Sequence, residues 1–158
     1  MRKHGFLPPV SFDDVATFDA MVQTIIDARA LEMSSTGGFG VERDSDKGGI
    51  ERIVASTFCG FFGEDASDRF DDLFEQCAYL ADHLANGHVF ADGNKRTAVR
   101  MSLSLLAMRG VLLDVDDSPD PSENEVYQWI QALVEKKISS ENLAYLFRWK
   151  ASRRDAEA

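Results

Sequence analysis

Cationic side chains are in short supply: 17 Lys and Arg stand against 27 Asp and Glu, a formal charge of −10 over 158 residues. Broad nucleic-acid binding rests on neutralising phosphates with Lys and Arg, so this composition argues against it. Any site for an anionic ligand must carry its own local positive charge. Cysteine is scarce too. Cys59 and Cys77 lack metal-ligand spacing and cannot make a disulfide framework; both are expected as free thiols, Cys77 on a helix face. No apolar run reaches the ~18–20 residues that span a bilayer, and Met1 to Pro9 lacks the apolar core of a signal peptide. A cytoplasmic location without membrane contact is the expectation.

Several catalytic devices are missing as well. There is no Gly-x-x-x-x-Gly-Lys-Ser/Thr phosphate loop, no protein-kinase motif set, no Gly-x-Ser-x-Gly elbow and no His-Glu-x-x-His zinc site. The aspartates of Asp116 to Asp120 lack the spacing, glycine and distal glutamate of a calcium loop, and read as an acidic linker.

What is present is one domain, 1–158, with 44% hydrophobic and 28% charged residues. About 1–10 and 151–158 read as flexible ends. Val15, Phe18, Val22, Ile25 and Ile26 recur at helical spacing behind a possible Ser11 cap, and this helix should end near Met33. A polar stretch to Gly49 follows as loop. Ile50 to Thr57 predicts a short helix, and the aromatics of Phe58 to Gly63 sit between glycines. Ser67 to Asn86 predicts a single amphipathic helix, and Thr97 to Met108 a buried one ended by Gly110. Val111 to Val115 reads as extended, Ser122 to Glu125 as a capping box, and Ser140 to Lys150 as the last helix. The fold class is all-α, about six helices around the buried one.

The chemistry concentrates in His88-Val89-Phe90-Ala91-Asp92-Gly93-Asn94-Lys95-Arg96, with Arg100 one turn on. Gly93 lets a loop turn closely past a ligand, and Asn94 can cap the helix whose first turn carries Lys95 and Arg96. A helix start favours anions, and the cations strengthen it, which points to a phosphate guest. Asp92 would oppose that guest unless a divalent cation lay between them, and Mg²⁺ commonly takes one or two carboxylates plus phosphates. The imidazole of His88 suits a general base. Phe90 reads as a core anchor, and His4 and His83 as structural or solvated. Arg100 has a second reading, an ion pair with an acidic residue of a neighbouring helix.

His88-x-Phe90-x-Asp92-Gly93-Asn94-x-Arg96 resembles the Fic/Doc superfamily signature at every fixed position, with weaker likeness from Gly38 to Leu113. Lys95 is similar to the death-on-curing (Doc) branch, where the adenylyl-transferring Fic branch has Gly; Gly93 and Arg100 follow the Fic pattern. The resemblance implies an all-α fold with a small flap, for which Phe58 to Gly63 is the candidate. It implies ATP as donor with Mg²⁺, His88 as general base and Asp92 as the metal-side carboxylate. Gly93, Asn94, Lys95 and Arg96, with Arg100 from the Fic pattern alone, would bind phosphate. The Doc branch further implies phosphate transfer to a protein Ser or Thr, the target being elongation factor Tu; the alternatives are AMP transfer or a non-catalytic binding module. The family's inhibitory motif, Ser/Thr-x-x-x-Glu-Gly/Asn, is not met by Glu123-Asn124 or Glu141-Asn142, behind which stand Pro119 and Lys137. A separate cognate antitoxin is therefore expected.

Overall fold

Seven α-helices and one short antiparallel ribbon make up the described residues, 7–35, 46–60 and 63–153, of this computed structural model. The first helix, α1 (Val15–Ser35), starts behind Asp14 and not Ser11. The Asp14 carboxylate accepts from the Thr17 N–H at 2.6 Å and the Thr17 hydroxyl at 2.8 Å, which supplies the cap. Its buried stripe is Met21, Val22, Ile25, Arg29 and Met33, while Val15 stays 74% exposed. A cation thus occupies a core position.

The next helix, α2 (Lys47–Phe58), begins three residues before the expected Ile50 because Asp46 caps it, accepting from the Gly49 N–H at 3.0 Å. The Asp46 N–H in turn donates to the Val89 carbonyl at 2.6 Å, so the start of α2 adjoins the motif. Its far end carries Phe58, stacked on Phe12 at 4.6 Å, and Cys59, which bridges Phe12 in parallel. Twelve residues at ~1.5 Å rise place that end ~17 Å along the helix from the motif side. Phe58 to Gly60 thus stand at the end of α2 away from the motif, and the other aromatics of the segment expected as the flap are not described by the structure. Phe61 and Phe62, and the loop over 36–45, lie outside the described residues.

The single helix expected over Ser67 to Asn86 is two, α3 (Ala66–Arg69) and α4 (Leu73–Asn86). Asp65 opens α3 with a capping box, and Asp72 is held fully extended, with φ −158° and ψ 179°. Its carboxylate accepts from the Glu75 N–H at 2.9 Å and is gripped by Arg148 of the last helix at 2.9 and 3.1 Å. The hydrogen bond to Asp72 pushes the Arg148 guanidinium further up from its ordinary value.

The buried helix α5 (Asn94–Met108) packs on α4 and α1 and hides Ala98, Val99, Met101, Leu105 and Leu106, though Met108 turns out to solvent at 65% exposure. Full burial of each of the Val, Met and Leu side chains among these is worth about 1.5–3 kcal/mol. Gly110, with φ +77°, reverses the chain into β1 (Val111–Leu113). A 3₁₀ turn at Pro121–Glu123 follows the acidic linker, and α6 (Glu125–Val134) is capped by Asn124, which accepts from the Tyr127 N–H at 2.9 Å. Asn124, not a Ser122 capping box, opens that helix. The last helix, α7 (Ser140–Lys150), matches its sequence bounds and leads into β2 (Ala151–Arg153), paired antiparallel with β1.

The ends are tied in further than composition suggests. Leu7 and Val10 are buried, and Gln76 holds Val10 from both sides, Oε1 accepting from its N–H and Nε2 donating to its carbonyl, each at 2.7 Å. Residues 1–6 and 154–158 lie outside the described residues. No helix among the described residues is long and apolar enough to cross a membrane.

Both cysteines are free. Cys77 is fully buried between α4 and α5, and burial pushes its thiol up from 9.0 to about 12, offset by a bond to the Ser102 carbonyl at 3.5 Å. Cys59 is half-buried, its thiol raised by burial and lowered by the nearby Arg69 charge. The thiolate is the reactive form, so an alkylating reagent at about pH 8 should leave Cys77 unmodified until the protein unfolds. Mass spectrometry of labelled peptides checks this. Because the folded value exceeds the unfolded one, Cys77 contributes stability below pH 9.0 that is lost as pH rises to about 12.

Candidate active site

α4 ends at Asn86, and the chain turns through Gly87 and His88 before α5 begins. His88 has left-handed backbone, φ 53°, at the place where helices commonly use Gly or Asn to reverse direction. Its exposed ring lines a cavity of about 360 Å³ together with Asp92, Asn94, Lys95, Arg96 and Tyr127. One cavity therefore gathers the imidazole, the carboxylate and the cations of the motif.

The loop between His88 and α5 is fastened from below. Val89 and Phe90 are each 2% exposed, the anchor role expected of Phe90. Asn94 clamps the Phe90 peptide group in both directions: its Oδ1 accepts from the Phe90 N–H at 3.2 Å and its Nδ2 donates to the Phe90 carbonyl at 2.9 Å. The expected cap is thus the first helical residue. The cap position belongs to Gly93, with φ +83° and no side-chain cap bond. A Cβ there would sit 2.9 Å from Met33 Sδ, so both conformation and space favour glycine.

An uncapped start leaves first-turn N–H groups of α5 without a capping side chain, and these carry the positive end of the helix dipole. The Thr97 N–H is satisfied by the Gly93 carbonyl at 2.9 Å, and Asp92 Oδ1 accepts from the Gly93 N–H at 2.7 Å. Lys95 and Arg96 add charge beside that start. The Lys95 ammonium donates to Gln131 Oε1 at 2.6 Å and stands 5.6 Å from the Tyr127 ring centroid, so α6 fixes it at the cavity wall. Asp92 supplies one exposed carboxylate; among the described residues no group of three or more His, Cys, Asp or Glu is placed to hold a metal. That donor set fits an Mg²⁺ ion shared with a nucleotide's phosphates and does not fit an all-protein metal cage.

Arg100 stands apart from the other site candidates. Its Nε donates to Glu32 Oε1 at 3.0 Å and one terminal nitrogen lies 3.7 Å from Asp117 Oδ2, the ion pair with a neighbouring helix that its second reading anticipates. It lines a second cavity of about 320 Å³ between α1, α5 and the 117–127 segment. Arg96 and Tyr127 line both cavities.

Three contributors escape a reading of the motif. Arg29, 1% exposed on α1, donates from Nε to the Asp92 carbonyl at 3.1 Å, and its guanidinium carbon lies 5.3 Å from the Phe90 ring centroid. Its signal was a charge in the apolar stripe that runs from Ile25 to Met33. Tyr127 and Gln131 reach the site from α6, 31 and more residues beyond Arg96, and nothing in their local pattern marks them.

The chain is 35% identical over 79 residues to a toxin Doc of Mycolicibacterium smegmatis, covering 50% of this chain and 58% of that protein. It is 38% identical over 76 residues to a protein named protein kinase doc from Escherichia phage P1, covering 48% and 56%. The chain thus spans little more than half the length of these relatives. The family model described as Fic/DOC family matches residues 16–106, which includes nearly all of α1, the whole His88–Arg96 motif and most of α5: the chain belongs to the Fic/DOC family.

Proposed function

We propose that this protein is a Doc-type toxin that transfers the terminal phosphate of ATP to a Ser or Thr hydroxyl of a protein, a translation factor such as elongation factor Tu. The observation that carries the reading is the shared cavity, which an exposed His88 lines together with Asp92 and the cationic start of α5. His88 would accept the hydroxyl proton of the target. The α5 N-terminus, Lys95 and Arg96 would hold the phosphate chain, and phosphoryl transfer depends chiefly on such positioning and charge stabilisation. Mg²⁺, held with the nucleotide at Asp92, would supply further neutralisation of the phosphate oxygens.

Transfer of phosphate is preferred to transfer of AMP on account of Arg100. A nucleotidyl transfer along the Fic pattern would call on that arginine for phosphate, and here Glu32 and Asp117 already engage it. Glu32 is preceded four residues earlier by Ala28 and followed by Met33, so it does not complete the inhibitory motif. Restraint is accordingly assigned to a separate antitoxin protein. The reading is tested by incubating the protein and target with ATP labelled on either its terminal or its α phosphate. Label should reach the target from the terminal position; label from the α position would establish AMP transfer in its place.

A further inference from the structure

We propose that the outer edge of β1, with the groove between it and α5, takes an extended segment of a partner protein whose apolar residues are flanked by Lys or Arg. The register identifies the spare backbone groups. Val111, Leu112 and Leu113 pair with Arg153, Ser152 and Ala151, and the Asp114 N–H donates to the Lys150 carbonyl at 2.8 Å, continuing the same ladder. Hydrogen-bonded and non-bonded pairs alternate along an antiparallel ladder, so Leu112 and Asp114 turn their peptide groups to β2 while Val111 and Leu113 turn theirs away. Val111 is buried and Leu113 half-buried, which makes Leu113 the accessible point of the edge. Among the described residues no hydrogen bond from another element reaches its N–H or carbonyl.

A groove of about 360 Å³ lies between this strand and α5. A cavity on the face of a sheet meets alternate residues, whereas one at an edge meets consecutive residues. Val111, Leu112 and Leu113 all line the groove, with Val115 beyond them, and Ala151 of β2 does not. Leu103 and Ala107 of α5 give it an apolar wall. An added strand would find spare peptide groups on one side and an apolar surface for alternate side chains on the other, the two elements of recognition by strand addition.

Charge decides the occupant. Asp114 and Asp116 interleave the lining residues Leu113, Val115 and Asp117; all three aspartates are exposed, and Asp114 and Asp116 have no ion-pair partner among the described residues. Of the cations nearby, Arg100 is engaged by Glu32 and Asp117, and Arg109 stands at the opposite end, before the Gly110 turn. A second copy of this chain would set the same aspartates against one another, and like charges across a strand pair are destabilising. A basic segment meets complementary charge there.

The test is amide hydrogen exchange of the full chain, alone and with a synthetic peptide of alternating Val and Thr carrying Lys at both ends. In the free chain the Leu113 amide should exchange rapidly and those of Leu112 and Asp114 slowly; the peptide should slow Leu113 by about 10-fold or more. The same peptide with Glu at both ends should bind about 10-fold or more weakly. Leu113→Pro removes the outward N–H at a place where an edge strand accepts proline, and should abolish binding of the Lys-flanked peptide. Ala107→Arg, at an exposed helical position, obstructs the groove and gives the same readout should the first variant not fold. Protection of Leu113 that grows with protein concentration in the absence of peptide would assign the edge to a second copy and overturn the proposal. So would a Leu113 amide protected in the dilute free chain, binding without protection at Leu113, equal binding of the two peptides, or no binding of the Lys-flanked one.

Discussion

Replacing His88 with asparagine is expected to lower the rate of transfer by about 10²- to 10⁴-fold, the usual contribution of a positioned general base. Asparagine is the informative choice because residue 88 has φ 53°. Asn adopts left-handed backbone more readily than other non-glycine residues, whereas Ala there would add strain of about 1 kcal/mol and blur the result. The ring is exposed, so little packing is lost. Melting temperature and ATP affinity should stay near those of the unmodified chain while transfer falls. A variant as active as the original would remove His88 from the chemistry.

Arg29→Leu should produce the second large effect, and by a different route. The leucine fills much of the apolar space but leaves the Asp92 carbonyl without its 3.1 Å donor and removes the charge beside the Phe90 ring. A hydrogen bond from a charged donor is worth about 1.5–3 kcal/mol and a cation–aromatic contact about 0.5–2, so a loss of about 2–4 kcal/mol is expected. Relief of the buried guanidinium's own desolvation works against this. Removing one member of a buried polar set is nonetheless generally destabilising, because the remaining members stay buried. For a domain of this size the melting temperature should fall by roughly 5–15 °C. Activity should drop as well, by up to about 10²-fold, since a displaced Asp92–Gly93 turn misplaces the α5 start. Thermal melting and a transfer assay on the same preparation check both; an unchanged melting temperature would show that Arg29 does not hold the loop.

The motif was legible in the sequence because its residues are contiguous and their chemistry is local. His88, Asp92, Lys95 and Arg96 do line one cavity, and the α7 bounds are those read from the sequence, Ser140 to Lys150. What was not legible depends on contacts between distant parts of the chain. The apolar stripe of α4 runs back through Phe70 and gives no hint of a break; Arg148, 76 residues away, helps to hold Asp72 extended. Leu7 and Val10 look like a loose end until Gln76, 66 residues on, is seen to bind Val10. Asn94 has the composition of a cap, yet the left-handed Gly93 takes that place and frees the amide to clamp Phe90. The second cavity draws on α1, α5 and the 117–127 segment, and no single stretch announces it.

The most direct test of phosphate transfer by the His88 site is intact-protein mass spectrometry of elongation factor Tu, and of a mixture of translation factors, after incubation with this protein, ATP and Mg²⁺. A gain of ~80 Da per modified chain, one phosphoryl group with its added charge of about −2, is predicted with the unmodified protein and none with His88→Asn. A gain matching an AMP group, or a gain that persists in His88→Asn, would contradict it.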